Sequence, residues 1–186
     1  TNSKEISDKL SIFRTHGITR DENLIENKSD GPWYYEQIDL GYNYRMTDIQ
    51  AALANSQIKR LSKIVKRRHE IADIYNKELK NLPIKLPWQD SKTYTSFHLY
   101  VIRLKLNEID ISHEEFFTKM RKAEILVNLH YIPVYFHPYY RRLGFKKGYC
   151  EEAEKYYSDA VSIPMFPSLK DEDQMKVIKT IKSIIW

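Results

Sequence analysis

Gly41-Tyr42-Asn43-Tyr44-Arg45-Met46-Thr47-Asp48-Ile49-Gln50-Ala51-Ala52-Leu53 carries an aromatic loop into the start of a helix. Thr47, with Gln50 three residues on, is a capping box, so the helix begins just after Thr47. Asn43 and Arg45 alternate, and in an extended segment both side chains fall on one side. An amide and a guanidinium beside a helix N-terminus suit a phosphate: the guanidinium fork matches its oxygens, and the helix end adds backbone donors. On residue chemistry alone packing is the simpler reading, with Arg45 paired to Asp48 or to a carbonyl and Tyr42 and Tyr44 filling space.

Downstream of the loop, Ile49, Ala52, Leu53, Ile58, Leu61, Val65, Ala72, Tyr75 and Leu79 recur at helical spacing opposite Lys59, Lys63, Arg67 and Lys77. No Gly or Pro intervenes before Pro83. The spacing predicts one helix over 46–82, roughly 50 Å long at 1.5 Å per residue, which bends or bridges two domains. Upstream, Ser3 caps a helix with Ile6, Leu10 and Phe13 on one stripe, and Gly17 closes it. A polar loop from Thr19 to Asp30 ends at the Gly31-Pro32 turn, ahead of Trp33, Tyr34 and Tyr35.

Beyond Pro83 the pattern shortens. Tyr94 to Leu106 reads as a strand, Ser112 with Glu115 caps a helix through Phe116, Phe117 and Met120, and Ile125 to His130 reads as a second strand. Pro133 and Pro138 make 131–140 a loop. A helix over 149–159, a strand over 160–163, and a last helix capped by Ser168 with Asp171 complete the chain. The alternation predicts a small α/β or α+β domain over 83–186.

Composition narrows the chemistry. The 186 residues are 42% hydrophobic and 13% aromatic, enough for a packed core. No apolar run approaches the ~20 residues of a membrane span, and the polar opening does not read as a signal peptide. The single cysteine, Cys150, excludes an intrachain disulfide and a cysteine-built zinc site. Together these features predict a cytoplasmic protein. His16, His69, His98, His113, His130 and His137 show no metal-ligand spacing, so no metal is expected. A net charge of +5 suits a nucleotide-sugar phosphate as well as a nucleic acid. The basic run Lys63 to His69 reads as a solvated helix face, and no nucleic-acid module accompanies it. Five glycines are few for a complete nucleotide-binding α/β domain. A second polar cluster, Asn128-Leu129-His130-Tyr131, lies at the end of a predicted strand, where α/β proteins place binding groups and where a backbone-bonded His beside a packed Tyr is equally at home.

The 41–53 block, with Gln57, Lys59 and Arg60 after it, resembles the segment shared by the DegT/StrS family of PLP-dependent sugar aminotransferases. Arg14-Thr15-His16-Gly17 is similar to that family's Arg-x-His-Gly stretch, His130-Tyr131-Ile132-Pro133 to its His-Tyr-x-Pro motif, and Ser162-Ile163-Pro164-Met165 with Leu169 to its small-domain ending. The run Gly31 to Glu36 resembles most the pseudaminic acid branch of the family.

The resemblance implies the C-terminal portion of a fold-type I aminotransferase: 1–45 the end of the large PLP-binding domain, 46–82 a long interdomain helix, 83–186 a small α+β domain. It implies a cytoplasmic homodimer with shared active sites, pyridoxal 5'-phosphate as cofactor, and amino transfer from L-glutamate to a 4-keto-6-deoxy UDP-sugar. Asn43 would reach the partner's cofactor phosphate with Arg45 nearby. Asn128, Leu129, His130 and Tyr131 would touch the sugar nucleotide, with Trp33 and Tyr35 on its wall. The Schiff-base lysine and the ring-nitrogen partner would precede Thr1, so no catalytic residue is assigned within 1–186 and the isolated chain is expected to be inactive. The contrasting expectation is a noncatalytic basic domain that binds a polyanion.

Overall fold

Four of the predicted helix starts carry side-chain signals, and in a computed structural model describing residues 1–186 three of them cap as the sequence requires. Ser3 Oγ accepts the Ile6 amide ahead of α1 (Lys4–Phe13). Thr47 and Gln50 exchange both capping bonds ahead of α2 (Asp48–Ile58). Ser112 and Glu115 do the same ahead of α4 (His113–Lys122). The fourth differs: Lys170 occupies the cap of α7 (Asp171–Ile185) with no side-chain bond, and Ser168 lies outside it. Asp171, Glu172 and Asp173 supply the N-terminal negative charge instead.

The helix predicted over 46–82 is two helices. α2 ends at Ile58, and α3 (Leu61–Leu79) starts after Arg60, with Lys59 and Arg60 between them. The chain divides at the same place into two compact units, Thr1–Lys59 and Arg60–Trp186. The apolar stripe divides too: Ile71, Ala72, Tyr75 and Leu79 of α3 are fully buried, while Ile49, Leu53 and Ile58 of α2 are exposed. Continuous core on one face is what straightens a helix of this length, and α2 has none.

In the first unit, β1 (Ile18–Thr19) pairs antiparallel with β2 (Glu36–Gln37), Ile18 opposite Gln37. An isolated bridge between Thr15 and Asn43 continues the contact between the two loops.

The second unit holds the core. β3 (Ile84–Lys85), β4 (Tyr100–Leu104) and β5 (Ala160–Ile163) form an antiparallel sheet in that order, with Ile102 opposite Val161. The alternation along β4 buries Tyr100, Ile102 and Leu104. Against them pack Tyr75 and Leu79 of α3, Phe116 and Met120 of α4, and Val177, Ile178 and Ile181 of α7. The architecture is the mixed α/β type expected.

The remaining differences lie in 94–142. The strand predicted over 94–106 is regular only over Tyr100–Leu104, because Phe97 turns the chain into the left-handed region at φ 44° and buries its ring. The strand predicted over 125–130 contracts to one bridge, Asn128 with Ser162. The loop predicted over 131–140 contains a 3-10 turn over Val134–Phe136, and α5 (Pro138–Arg142) begins there with Pro138 in its first turn, where its missing N–H costs nothing. α6 (Glu151–Asp159) and β5 match the expectation closely.

Candidate functional site

The first cluster is built by two loops laid backbone to backbone. Tyr42 N–H donates to Phe13 O, His16 N–H to Tyr42 O, and Tyr44 N–H to Arg14 O at 3.1 Å. Only glycine permits this approach at its centre. Gly17 has φ 75°, and a Cβ there would overlap the Asp39 carbonyl; a Cβ on Gly41 would overlap the Gly17 amide. The zipper presents 42–45 in extended form. Tyr42 and Tyr44 stack at 4.8 Å between ring centres.

Asn43 Oδ1 accepts from Arg45 Nε at 3.2 Å and Nη2 at 2.9 Å. Arginine only donates, so the amide oxygen must face it and the Asn43 Nδ2 hydrogens are left as donors. Arg45 Nη1 forms no bond, and the pairing with Asp48 weighed from the sequence is absent. Both side chains are exposed, three and five residues ahead of the first residue of α2. An exposed amide donor tied to a guanidinium at a capped helix start is a phosphate-type donor set.

Trp33 and Tyr35 stand on another loop of the same unit. The Trp33 ring covers Gly31, and Arg20 lies 5.9 Å from the Tyr35 ring centre. Between them Tyr34 donates to Glu36 at 2.7 Å, and the Glu26 and Asn27 amides also donate to that carboxylate. The backbone donation of Glu26, followed by the Tyr34 hydroxyl, pulls the Glu36 carboxyl down to about 2. Trp33 and Tyr35 are therefore held by a hydrogen-bonded loop, and both stay exposed.

The second cluster belongs to the second unit. The Asn128 and Ser162 backbones exchange both bridge bonds, at 3.1 and 2.7 Å. His130 Nδ1 lies 2.8 Å from Ser162 Oγ, and its Nε2 3.4 Å from Asn128 Nδ2. The Leu129 amide donates to Asn128 Oδ1 at 2.8 Å, which turns the Asn128 Nδ2 group toward the imidazole. The network assigns Nε2 as acceptor and Nδ1–H as donor to Ser162. Asn128 and His130 are brought together; Tyr131 projects outward, 72% exposed, with its ring edge-on to His130. Leu129 and Asn128 both line a hollow shared with His113 and Phe117.

The basic run Lys63 to His69 departs from its expected role as a solvated face. Lys63 and Lys66 are exposed, but Arg67 donates to Leu169 O and Asp171. Arg68 donates to the Phe97, His98 and Met165 carbonyls. His69 Nε2 meets Thr95 O at 2.8 Å while its ring stacks on Tyr94. Three of the run's five basic side chains, Arg67, Arg68 and His69, are internal bracing, which leaves Lys63 and Lys66 facing solvent.

The sequence reading passed over 135–149. There Tyr135, Phe136, Arg141, Phe145, Lys146 and Lys147 surround a cavity of about 570 Å³. The signal was present: residues 128–149 contain four basic side chains and no acidic one.

The sequence matches the DegT/DnrJ/EryC1/StrS aminotransferase family over residues 1–182, and the chain belongs to that family. It is 38% identical to an uncharacterized protein of Methanocaldococcus jannaschii, MJ1066, over all of this chain and 48% of that one. It is 34% identical to the UDP-4-amino-4,6-dideoxy-N-acetyl-beta-L-altrosamine transaminase of Campylobacter jejuni, over all of this chain and 46% of that one. Among solved structures, the PLP-form of the putative sugar aminotransferase Spr1654 from Streptococcus pneumoniae superposes with a TM-score of 0.82 at 27% identity, covering 99% of this chain and 44% of that one. The chain thus spans about half the length of the curated relatives it matches. No helix is long and apolar enough to cross a membrane.

Proposed function

We propose that this chain is the C-terminal part of a PLP-dependent aminotransferase that moves the amino group of L-glutamate onto a 4-keto-6-deoxy UDP-sugar in nucleotide-sugar biosynthesis. Family membership supports the reaction class, and the Campylobacter relative supports the sugar. The single observation that carries the reading for this chain is the exposed Asn43–Arg45 pair at the start of α2.

The donor set fits the cofactor's phosphate. Asn43 Nδ2 and the free Arg45 Nη1 supply hydrogen bonds and positive charge, and the zipper through Gly17 and Gly41 fixes their position before the anion arrives. When bound, PLP supplies an electron sink for proton transfer at the amino acid's α-carbon. In this reading the phosphate belongs to the second subunit of a homodimer, and the lysine that carries the cofactor comes from outside residues 1–186. Asn128 and His130 orient the sugar through Nδ2 and the imidazole edge, Ser162 holds that imidazole in one tautomer, and Leu129 and Tyr131 bound it on either side. Trp33 and Tyr35 contribute an outer aromatic wall.

The test is amino transfer by the longer protein that contains this sequence. It is incubated with PLP, L-glutamate and a 4-keto-6-deoxy UDP-sugar while 2-oxoglutarate and the amino sugar are measured. Stoichiometric formation of both is expected; 2-oxoglutarate without amino sugar contradicts the acceptor, and neither product contradicts the activity. The 186-residue chain alone is expected to show no turnover, and borohydride treatment with PLP should label no lysine stoichiometrically.

A further inference from the structure

The segment that carries Asn128 and His130 has a single strand bridge, so few backbone bonds hold it in place. The chain reaches it from the end of α4 through Glu124, whose φ of 62° lies in the left-handed region. Ile125 and Val127 then turn into the core. Val127 is fully buried, and a buried carbonyl needs a donor. No backbone amide supplies one. Arg121 Nη2 does, at 2.8 Å.

The other side of the bridge is held from the same helix. His113 Nε2 lies 3.0 Å from Ala160 O, two residues ahead of Ser162 on β5. A carbonyl only accepts, so Nε2 carries the proton. His113, Phe117 and Arg121 follow at four-residue spacing and share one face of α4. Phe117 joins the two polar groups. Its ring stands edge-on to His113 at 6.1 Å, and the Arg121 guanidinium lies 5.5 Å from its centre. Phe116 and Met120, both fully buried, seat the helix on the core and give this face a fixed direction. One face of one helix therefore holds a carbonyl beside Asn128 and another close to Ser162, on either side of the bridge that joins them.

We propose that His113 and Arg121 are positioning residues for the Asn128–His130–Ser162 cluster. Each acts through backbone: Arg121 through Val127, His113 through Ala160. Together they set where the imidazole sits between Asn128 Nδ2 and Ser162 Oγ. A binding constellation works only when held within about 0.5 Å of its productive geometry, and a one-bridge segment needs side chains to hold it there. The effect on the sugar rests on the proposed reading of Asn128 and His130; the clamp on the two backbones does not.

Three variants of the longer protein test this. Arg121→Met keeps the stem against Phe117 and loses the donor, Arg121→Lys keeps one donor, and His113→Phe keeps a ring and loses the bond. Hydrogen exchange at the Asn128 and Ser162 amides, which form the bridge, should quicken roughly tenfold in Arg121→Met and His113→Phe, as for a lost hydrogen bond. Arg121→Lys should return it toward the parent. Exchange at Val177 and Ile181 of α7 should stay unchanged, the sign of an intact fold. In amino transfer, KM for the keto sugar should rise by a similar factor while KM for L-glutamate stays within about twofold. A general loss of stability would move α7 exchange and both substrates together. Bridge exchange equal to the parent's in folded Arg121→Met and His113→Phe overturns the clamp, whatever the activity. Faster exchange with the sugar KM unmoved, or with both KM values raised alike, overturns the positioning role. Faster bridge exchange in variants of a protein that never aminates the sugar supports the clamp and refutes the proposed activity alone.

Discussion

At the residue scale, Gly17 shows how one missing side chain governs the phosphate-type cluster. Its amide bonds Ile12 O, and its carbonyl accepts from Ile38, so the Asn43 loop is aligned through it. Gly17→Ala forces a left-handed alanine, costing about 1 kcal/mol, onto an occupied carbonyl. Faster amide hydrogen exchange at Ile38 and Tyr42 is expected; unchanged protection contradicts the zipper. Glu36 gives a pH prediction. Its folded pKa of about 2 lies below the ordinary carboxylate value of 4.5, so its contribution is complete above 4.5 and lost as pH falls toward 2. Exchange at the Glu26 and Asn27 amides should therefore rise across that window, and Glu36→Gln should abolish the step. The sequence marked Gly17 as the close of α1, whereas Arg14 is the C-cap and Gly17 lies three residues beyond it. The contact of Gly17 with 39–41 was not legible, because no local pattern records which loop lies across another.

At the element scale, capping chemistry was legible and strand length was not. Thr47–Gln50 and Ser112–Glu115 announced their helices because the signal is entirely local. Ser112→Ala should lower stability by about 1 kcal/mol in urea denaturation. Residues 94–99 have strand composition but no strand, since Arg68 of α3 takes the Phe97 and His98 carbonyls that a ladder would have used. That bond spans about thirty residues, beyond any periodicity. Arg68→Ala should destabilise the second unit by about 2–3 kcal/mol, with Arg68→Lys restoring only part because an ammonium lacks the planar fork. A full rescue by lysine would mean that charge alone suffices. Lys59–Arg60 ends one helix and starts another without Gly or Pro, so nothing in the residue pattern marked the break.

At the scale of the whole molecule, every buried hydrophobic side chain of the core belongs to residues 71–181. The first unit keeps Ile6, Leu10, Leu53 and Ile58 exposed and is tied mainly by backbone hydrogen bonds, so its local stability is the lower of the two. Limited proteolysis should cut within 1–59 first and leave a resistant piece close to 60–186; the reverse order would contradict this division. The candidate site follows the same split. Asn43 and Arg45 were legible because their motif is contiguous. Ser162 was not, because its role depends on the bridge that brings it to Asn128 and His130 across 32 residues.

In the proposed function Asn43 holds the cofactor phosphate of a second subunit. Its most direct test is PLP retention by the longer protein, measured by equilibrium dialysis and visible absorbance, in the parent and in Asn43→Ala. Loss of a hydrogen bond to a charged acceptor predicts PLP binding weaker by about 1.5–3 kcal/mol, roughly 10- to 150-fold, with folding unchanged. Equal retention by the folded variant would contradict the claim.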